Sequence, residues 1–118
     1  MVNLKINVKN IKDEFVLIDL AGEMDIYTAQ EFKKTLKELI KEKKYKLIVD
    51  LERVTYIDSA GAGSLLGGLK KTRDQKGDLW LIYSRKSGVW KFFNITNLDN
   101  NFSIYKTQNA AFKALNLN

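Results

Sequence analysis

The residues whose types and spacing could do chemistry lie in Val54-Thr55-Tyr56-Ile57-Asp58-Ser59-Ala60-Gly61-Ala62-Gly63-Ser64-Leu65-Leu66-Gly67-Gly68. Asp58 and Ser59 place a carboxylate beside a hydroxyl. An apolar strand, Leu47 to Leu51, precedes them, and Ala62, Leu65, Leu66 and Leu69 follow at the i, i+3, i+4, i+7 spacing of a helix. The pair is therefore expected where a loop feeds a helix. The first N–H groups of a helix lack intrahelical partners and its dipole is positive there, so the Ser59 hydroxyl, or a phosphate placed on it, would meet donors. A plainer role competes with this one. Asp and Ser are both preferred N-caps, and on physical grounds alone Ser59 reads as the cap.

Asp25 is the second candidate. Gly22-Glu23-Met24-Asp25 leaves an apolar strand just before a helical pattern, where an acidic residue is electrostatically comfortable with no further role. The four glycines Gly61, Gly63, Gly67 and Gly68 do not make a phosphate cradle. The third glycine of a G-x-G-x-x-G fingerprint is replaced by Leu66, Gly67 comes one residue late, and G-x-x-x-x-G-K-[ST] is absent. Gly67 and Gly68 read as allowing close helix-to-sheet packing, while Gly61 and Gly63 would also keep side chains away from Ser59. The chain has no histidine and no cysteine. The usual base for a serine nucleophile, the commonest transition-metal ligand, thiolates and disulfides are all missing. An enzyme using Asp58 or Asp25 as base is the last of the alternatives.

With 118 residues the chain fits one domain, 1–118, long enough for a modest core. Its 45% hydrophobic and 29% charged composition is that of an ordinary globule. No apolar run approaches the roughly 20 residues of a membrane-spanning helix, and Met1 begins directly on a strand pattern without a secretory leader. A cytoplasmic protein without membrane contact is expected. The net charge is +6, but residues 1–58 carry 11 basic and 11 acidic side chains, so the excess lies from Ser59 onward. A basic half could steer toward an acidic protein or a nucleotide. Lys70, Lys71, Arg73 and Lys76 read as the solvated end of an amphipathic helix without interleaved aromatics, so no direct nucleic-acid contact is expected.

The elements that must position these residues follow from periodicity. Leu4 to Val8 alternates as a half-buried strand, and Phe15 to Ala21 gives a second, joined through a short polar connection suited to a hairpin. Thr28 with Glu31 forms a capping-box pattern, and Tyr27 with Phe32 has staple spacing. The helix they open buries Ala29, Phe32, Leu36, Leu39 and Ile40 and exposes Lys33, Lys34, Lys37 and Glu38. Leu47 to Leu51 reads as a central strand covered on both faces, parallel to the second through a right-handed crossover. Sites in open α/β sheets gather beyond the carboxyl ends of such strands, and neighbouring strands would bring Asp25 and Asp58 together. Leu79 to Tyr83 is the next strand. Ser87 is read as capping a short helix with Val89, Phe92 and Phe93 inward and Trp90 at the core edge. Phe102 to Tyr105 is a last strand, and Thr107 starts a helix with Ala111, Phe112 and Leu115 inward. The fold class is α/β, a mixed, mostly parallel sheet of about five strands with about four helices. The order is ββαβαβαβα.

Asp58-Ser59-Ala60-Gly61-x-Gly63 after an apolar strand, with Gly22-Glu23-Met24-Asp25 upstream, resembles the STAS domain of bacterial anti-sigma factor antagonists. The likeness is good from about Gly22 to Gly77 and looser on either side. It implies that Ser59 is the phosphoacceptor of a partner kinase and that Asp25 lies close to it and joins in partner contact, with Asp58, Ser59, Ala60, Gly61, Ala62 and Gly63. It further implies an anti-sigma factor with serine-kinase activity as partner, a serine phosphatase that resets the switch, a monomer, and no cofactor of this chain's own, since ATP belongs to the kinase. The family usually has Leu or another larger apolar residue between the two glycines, where this chain has Ala62. That departure bears on the surface offered to a partner. A scaffold subunit of a stress-signalling assembly and a nucleotide or small-ligand sensor are the alternative functions.

Overall fold

The computed structural model describes residues 3–118. Five strands form one sheet in the order β1-β2-β3-β4-β5, and the chain runs β1 (Leu4–Asn10), β2 (Phe15–Met24), α1 (Thr28–Lys41), β3 (Lys46–Ile57), α2 (Ser59–Asp74), β4 (Asp78–Ile82), α3 (Trp90–Thr96), β5 (Ser103–Tyr105) and α4 (Gln108–Ala114). The expected order and fold class are those observed. β1 pairs antiparallel with β2 through a tight connection at Lys12–Glu14, in which Asp13 and Glu14 adopt positive φ. The other three pairings are parallel.

Each parallel crossover steps to the adjacent strand in the same direction, and a constant hand then sets the crossover helices on one face. α1 and α2 accordingly share a core with Val16, Ile18 and Leu20 of β2, Leu47, Val49 and Leu51 of β3, and Leu79 and Leu81 of β4, with Phe93 of α3 joining them. α4 follows the last strand and covers the opposite face, where Phe15, Leu17, Ile48, Ile82 and Ala111 cluster. β3 is thus buried on both sides, as its unbroken apolar run requires.

β2 and β3 are longer than their apolar runs suggest. β3 pairs with β4 only from Lys46 to Asp50, yet continues to Ile57 paired with β2 alone. Beyond Leu51, Val54 and Ile57 are buried while Glu52, Arg53, Thr55 and Tyr56 are exposed, a spacing of three and not two because β3 carries an extra residue at each of two register shifts against β2. The shifts fall between Asp19 and Ala21 and between Gly22 and Glu23 of β2, and past them the two strands stay paired to Met24 and Ile57. The segment between β4 and α3 lies against this extension, with Gly88 close to the Val54 and Thr55 backbone. Ser87 is buried and donates to Glu52 Oε2 at 2.7 Å, and its own Oγ accepts the Ser84 N–H at 2.8 Å. Ser87 therefore ties this segment to β3 and does not cap α3. Thr107 does cap α4, accepting the Ala110 N–H at 3.0 Å.

Candidate functional site

The paired ends of β2 and β3 set the site. Met24 stands opposite Ile57, and the next residue of each strand is an aspartate that opens a helix. Asp58 donates its N–H to the Met24 carbonyl at 3.2 Å, which fixes the two chain exits side by side. The sequence expected Asp25 and Asp58 to meet, and they do.

Both aspartates cap. Asp58 Oδ1 accepts the Ala60 N–H at 2.9 Å and the Gly61 N–H at 3.1 Å, and the Asp58 carbonyl accepts the Ala62 N–H. Asp58 joins β3 to α2 directly, with no loop between. Asp25 Oδ1 accepts the Tyr27 and Thr28 N–H groups at 2.9 Å each, while the Thr28 hydroxyl accepts the Asp25 N–H at 2.9 Å. This is a reciprocal capping box of Asp25 with Thr28, three residues upstream of the expected Thr28 with Glu31. The staple moves with it, because Met24 and Ala29 now hold its two positions and both are buried. Tyr27 is 81% exposed instead of stapled to Phe32. In both caps the acceptor is a carboxylate, whose charge strengthens the bonds from the backbone N–H groups. Donation from the Thr28 backbone, followed by that from Tyr27 and the Thr28 hydroxyl, holds the Asp25 carboxyl below its ordinary value.

Ser59 is left without a structural task. It occupies the first position of α2, is exposed, and its hydroxyl makes no hydrogen bond to the described residues. The cap reading of Ser59 is thereby corrected in favour of Asp58. Two of the donors that a phosphate on Ser59 would have met are already held by the Asp58 carboxylate.

The neighbouring positions divide by burial. Ala60 is half-buried and Gly63 exposed, whereas Gly61 and Ala62 are buried. At Gly61 a Cβ would lie 2.6 Å from the Met24 carbonyl oxygen and 2.8 Å from Met24 Cβ, so glycine is required where α2 rests on β2. Its role is packing and not clearance around Ser59. Ala62 is 2% exposed, so the departure from Leu lies in the core and not on the surface. Gly68 meets Leu36 and Leu79, as a packing glycine should. Gly67 does not; it is exposed, with nothing within 4 Å of a Cβ built there.

Ile26, 59% exposed, and Tyr27 stand on the same edge, directly after Asp25. Sequence reasoning passed over Ile26 and took Tyr27 for a staple. Recognising Asp25-x-x-Thr28 as the capping box would have placed both residues on the first exposed turn. A groove of about 400 Å³ lies farther along, between α1 and α2, and is lined by neither aspartate nor Ser59. Among the described residues no group of three or more Asp and Glu side chains could hold a metal ion. No helix among them is long and apolar enough to cross a membrane.

The arrangement can present a modifiable hydroxyl at a helix start, flanked by two carboxylates and two exposed apolar side chains. The chain as a whole is similar to known proteins. An anti-sigma-B factor antagonist of Listeria monocytogenes is 31% identical over 97 residues, 82% of this chain and 84% of that protein. The crystal structure of an anti-sigma factor antagonist from Mycobacterium paratuberculosis superposes with a TM-score of 0.82 at 22% identity, covering 94% of this chain and 92% of that one. The Bacillus cell fate determinant SpoIIAA in its phosphorylated form superposes at 0.73 with 21% identity, over 94% and 99% of the two chains. These two likenesses concern the fold. The sequence model of the STAS domain matches residues 6–111, and with that span and the Listeria relative, the chain belongs to the STAS domain family.

Proposed function

We propose that the protein is an anti-sigma factor antagonist that switches partners through phosphorylation of Ser59. The observation that carries this reading is the exposed Ser59 hydroxyl, which makes no hydrogen bond to the described residues and stands at a helix start whose capping is done by Asp58. The relatives named anti-sigma-B factor antagonist support it. Unphosphorylated, the chain binds an anti-sigma factor that is also a serine kinase, and the sigma factor is freed. Phosphorylated, it lets go, and a serine phosphatase restores it. It works in the cytoplasm as a monomer, without catalysis or a cofactor of its own.

The physics of release is local. A phosphate adds about −1.5 to −2 charges next to the Asp58 carboxylate and beside Asp25, where the helix-start donors are already engaged. Burying that charge unpaired in an interface costs several kcal/mol, and every 1.4 kcal/mol or so is tenfold in affinity. Ser59, Ala60 and Gly63 offer the contact surface with Asp25 and Asp58, Ile26 and Tyr27 add apolar anchors, and buried Gly61 and Ala62 shape it from beneath.

The test is incubation with ATP and each anti-sigma kinase candidate of the source genome, read by mass spectrometry, with Ser59→Ala as control. One phosphate on Ser59 that also weakens binding is the expected result. No phosphate and no binding with any candidate would sink the reading.

A further inference from the structure

The groove between α1 and α2 is a second feature of the same face. Lys33, Lys34 and Lys37 of α1 and Lys71 of α2 line it, and no carboxylate does. All four lysines are exposed, and the ion pairs among the described residues are Arg53 with Asp19 and Arg73 with Asp78, so none of the four is matched. Four like charges along one groove repel one another and favour an anionic occupant.

The α2 wall is bare. Ser59, Gly63, Gly67 and Lys71 follow one another at four-residue intervals, a row that rises about 18 Å while winding about 120° around the helix, and its last three residues line the groove. Nothing lies within 4 Å of a Cβ built on Gly63 or Gly67. Glycine is a poor helix former, and no crowding demands it at either position. What the two glycines provide is room for an occupant to approach the α2 backbone.

We infer that this groove receives an acidic segment of the protein partner, laid along the helices with one end against Ser59; this rests on the partner-switching reading above. Lysines spread along both walls suit carboxylates repeated along a chain. A nucleotide base or single-stranded nucleic acid would call for an aromatic platform, and no lining residue is aromatic. Phosphate on Ser59, one turn before Gly63, would face the end of the acidic segment and repel it. The groove and the modification site then act together.

The experiment is calorimetric titration of the anti-sigma kinase candidates into the native chain, Lys33→Glu/Lys37→Glu and Gly67→Leu, at low salt and at about 0.3 M, where screening shortens the reach of charges to several Å. Each variant is expected to bind about tenfold or more weakly, and salt to weaken the native complex more than that of the lysine variant. The melting temperature of Gly67→Leu should not fall below native; if it does, the lysine variant alone decides. Native affinity in the deciding variants, for a candidate that Ser59 phosphorylation releases, overturns the groove and leaves the switch standing. Binding of no candidate to the native chain overturns both. Melting curves with added ATP or GTP form the last arm, and stabilisation of the native chain but not of the lysine variant would assign the groove to a nucleotide and overturn the protein segment.

Discussion

Asp25 and Asp58 do the same work one strand apart, and the work of Asp58 is what frees Ser59. Because Asp58 accepts both the Ala60 and the Gly61 N–H, Asp58→Ala is expected to lower stability by about 1 kcal/mol in chemical denaturation. An unchanged unfolding midpoint would return the capping role to Ser59. Asp25 makes an acid-side prediction. Its carboxyl is held below the ordinary 3.8 by N–H donors, so its contribution is fully present above that value and is lost as pH falls through the lower folded value. Asp25→Asn keeps an acceptor but cannot titrate, and its stability should fall less steeply than native as pH drops below 3.8 in urea unfolding. Tyr27 belongs to the surface instead. Tyr27→Ala should leave the melting temperature unchanged while weakening the anti-sigma complex about tenfold or more in calorimetry, since buried aromatic anchors dominate interfaces.

At the scale of elements, the start and the middle of α2 use glycine oppositely. At Gly61 the helix start rests on the Met24 backbone, so Gly61→Ala must push α2 off β2, and a loss of about 1–3 kcal/mol is expected. At Gly67 the same change meets open space and should stabilise by up to about 1 kcal/mol through helix propensity. Thermal melts of the two variants should therefore move in opposite directions. Movement in one direction would mean that α2 does not sit on Met24 as described. The extension of β2 and β3 past the end of β4 matters here as well. It carries Asp25 and Asp58 out to an edge, and the Glu52 bonds to Ser84 and Ser87 hold it from the far side.

For the whole molecule, the helix-covered face determines both what is exposed and what is sealed. Tyr83 follows β4 directly and lies inside the main core, stacked on Phe93 with centroids 5.0 Å apart. Burial, with a smaller push from the Asp99 charge, raises its phenol to about 12. A group whose folded pKa is raised gives stability that is full below its unfolded value near 10 and is lost as pH rises through the folded one. Ultraviolet titration should thus show one tyrosine lagging the others to about pH 12, with stability falling between about pH 10 and 12. Disappearance of the lag in Tyr83→Phe would assign it. A lag that persisted in that variant would place it elsewhere.

Local sequence determined most of the architecture. Period-two and period-3.6 patterns are sums over many residues, so the order of five strands and four helices, the buried face of α1 and the meeting of Asp25 with Asp58 were legible without coordinates. Single hydrogen bonds are not such sums. Which of several neighbouring polar residues caps a helix depends on chain direction at the strand exit, and that is why Asp58 displaced Ser59, Asp25 displaced Thr28, and Ser87 turned toward Glu52. The charge pattern shows the same division. Along the chain, residues 1–58 balance to zero, yet folding brings Lys33, Lys34 and Lys37 beside Lys71 with no carboxylate lining the groove between them. Crossovers of constant hand laid α1 against α2, and only that tertiary step turned two ordinary solvated helix faces into one basic groove.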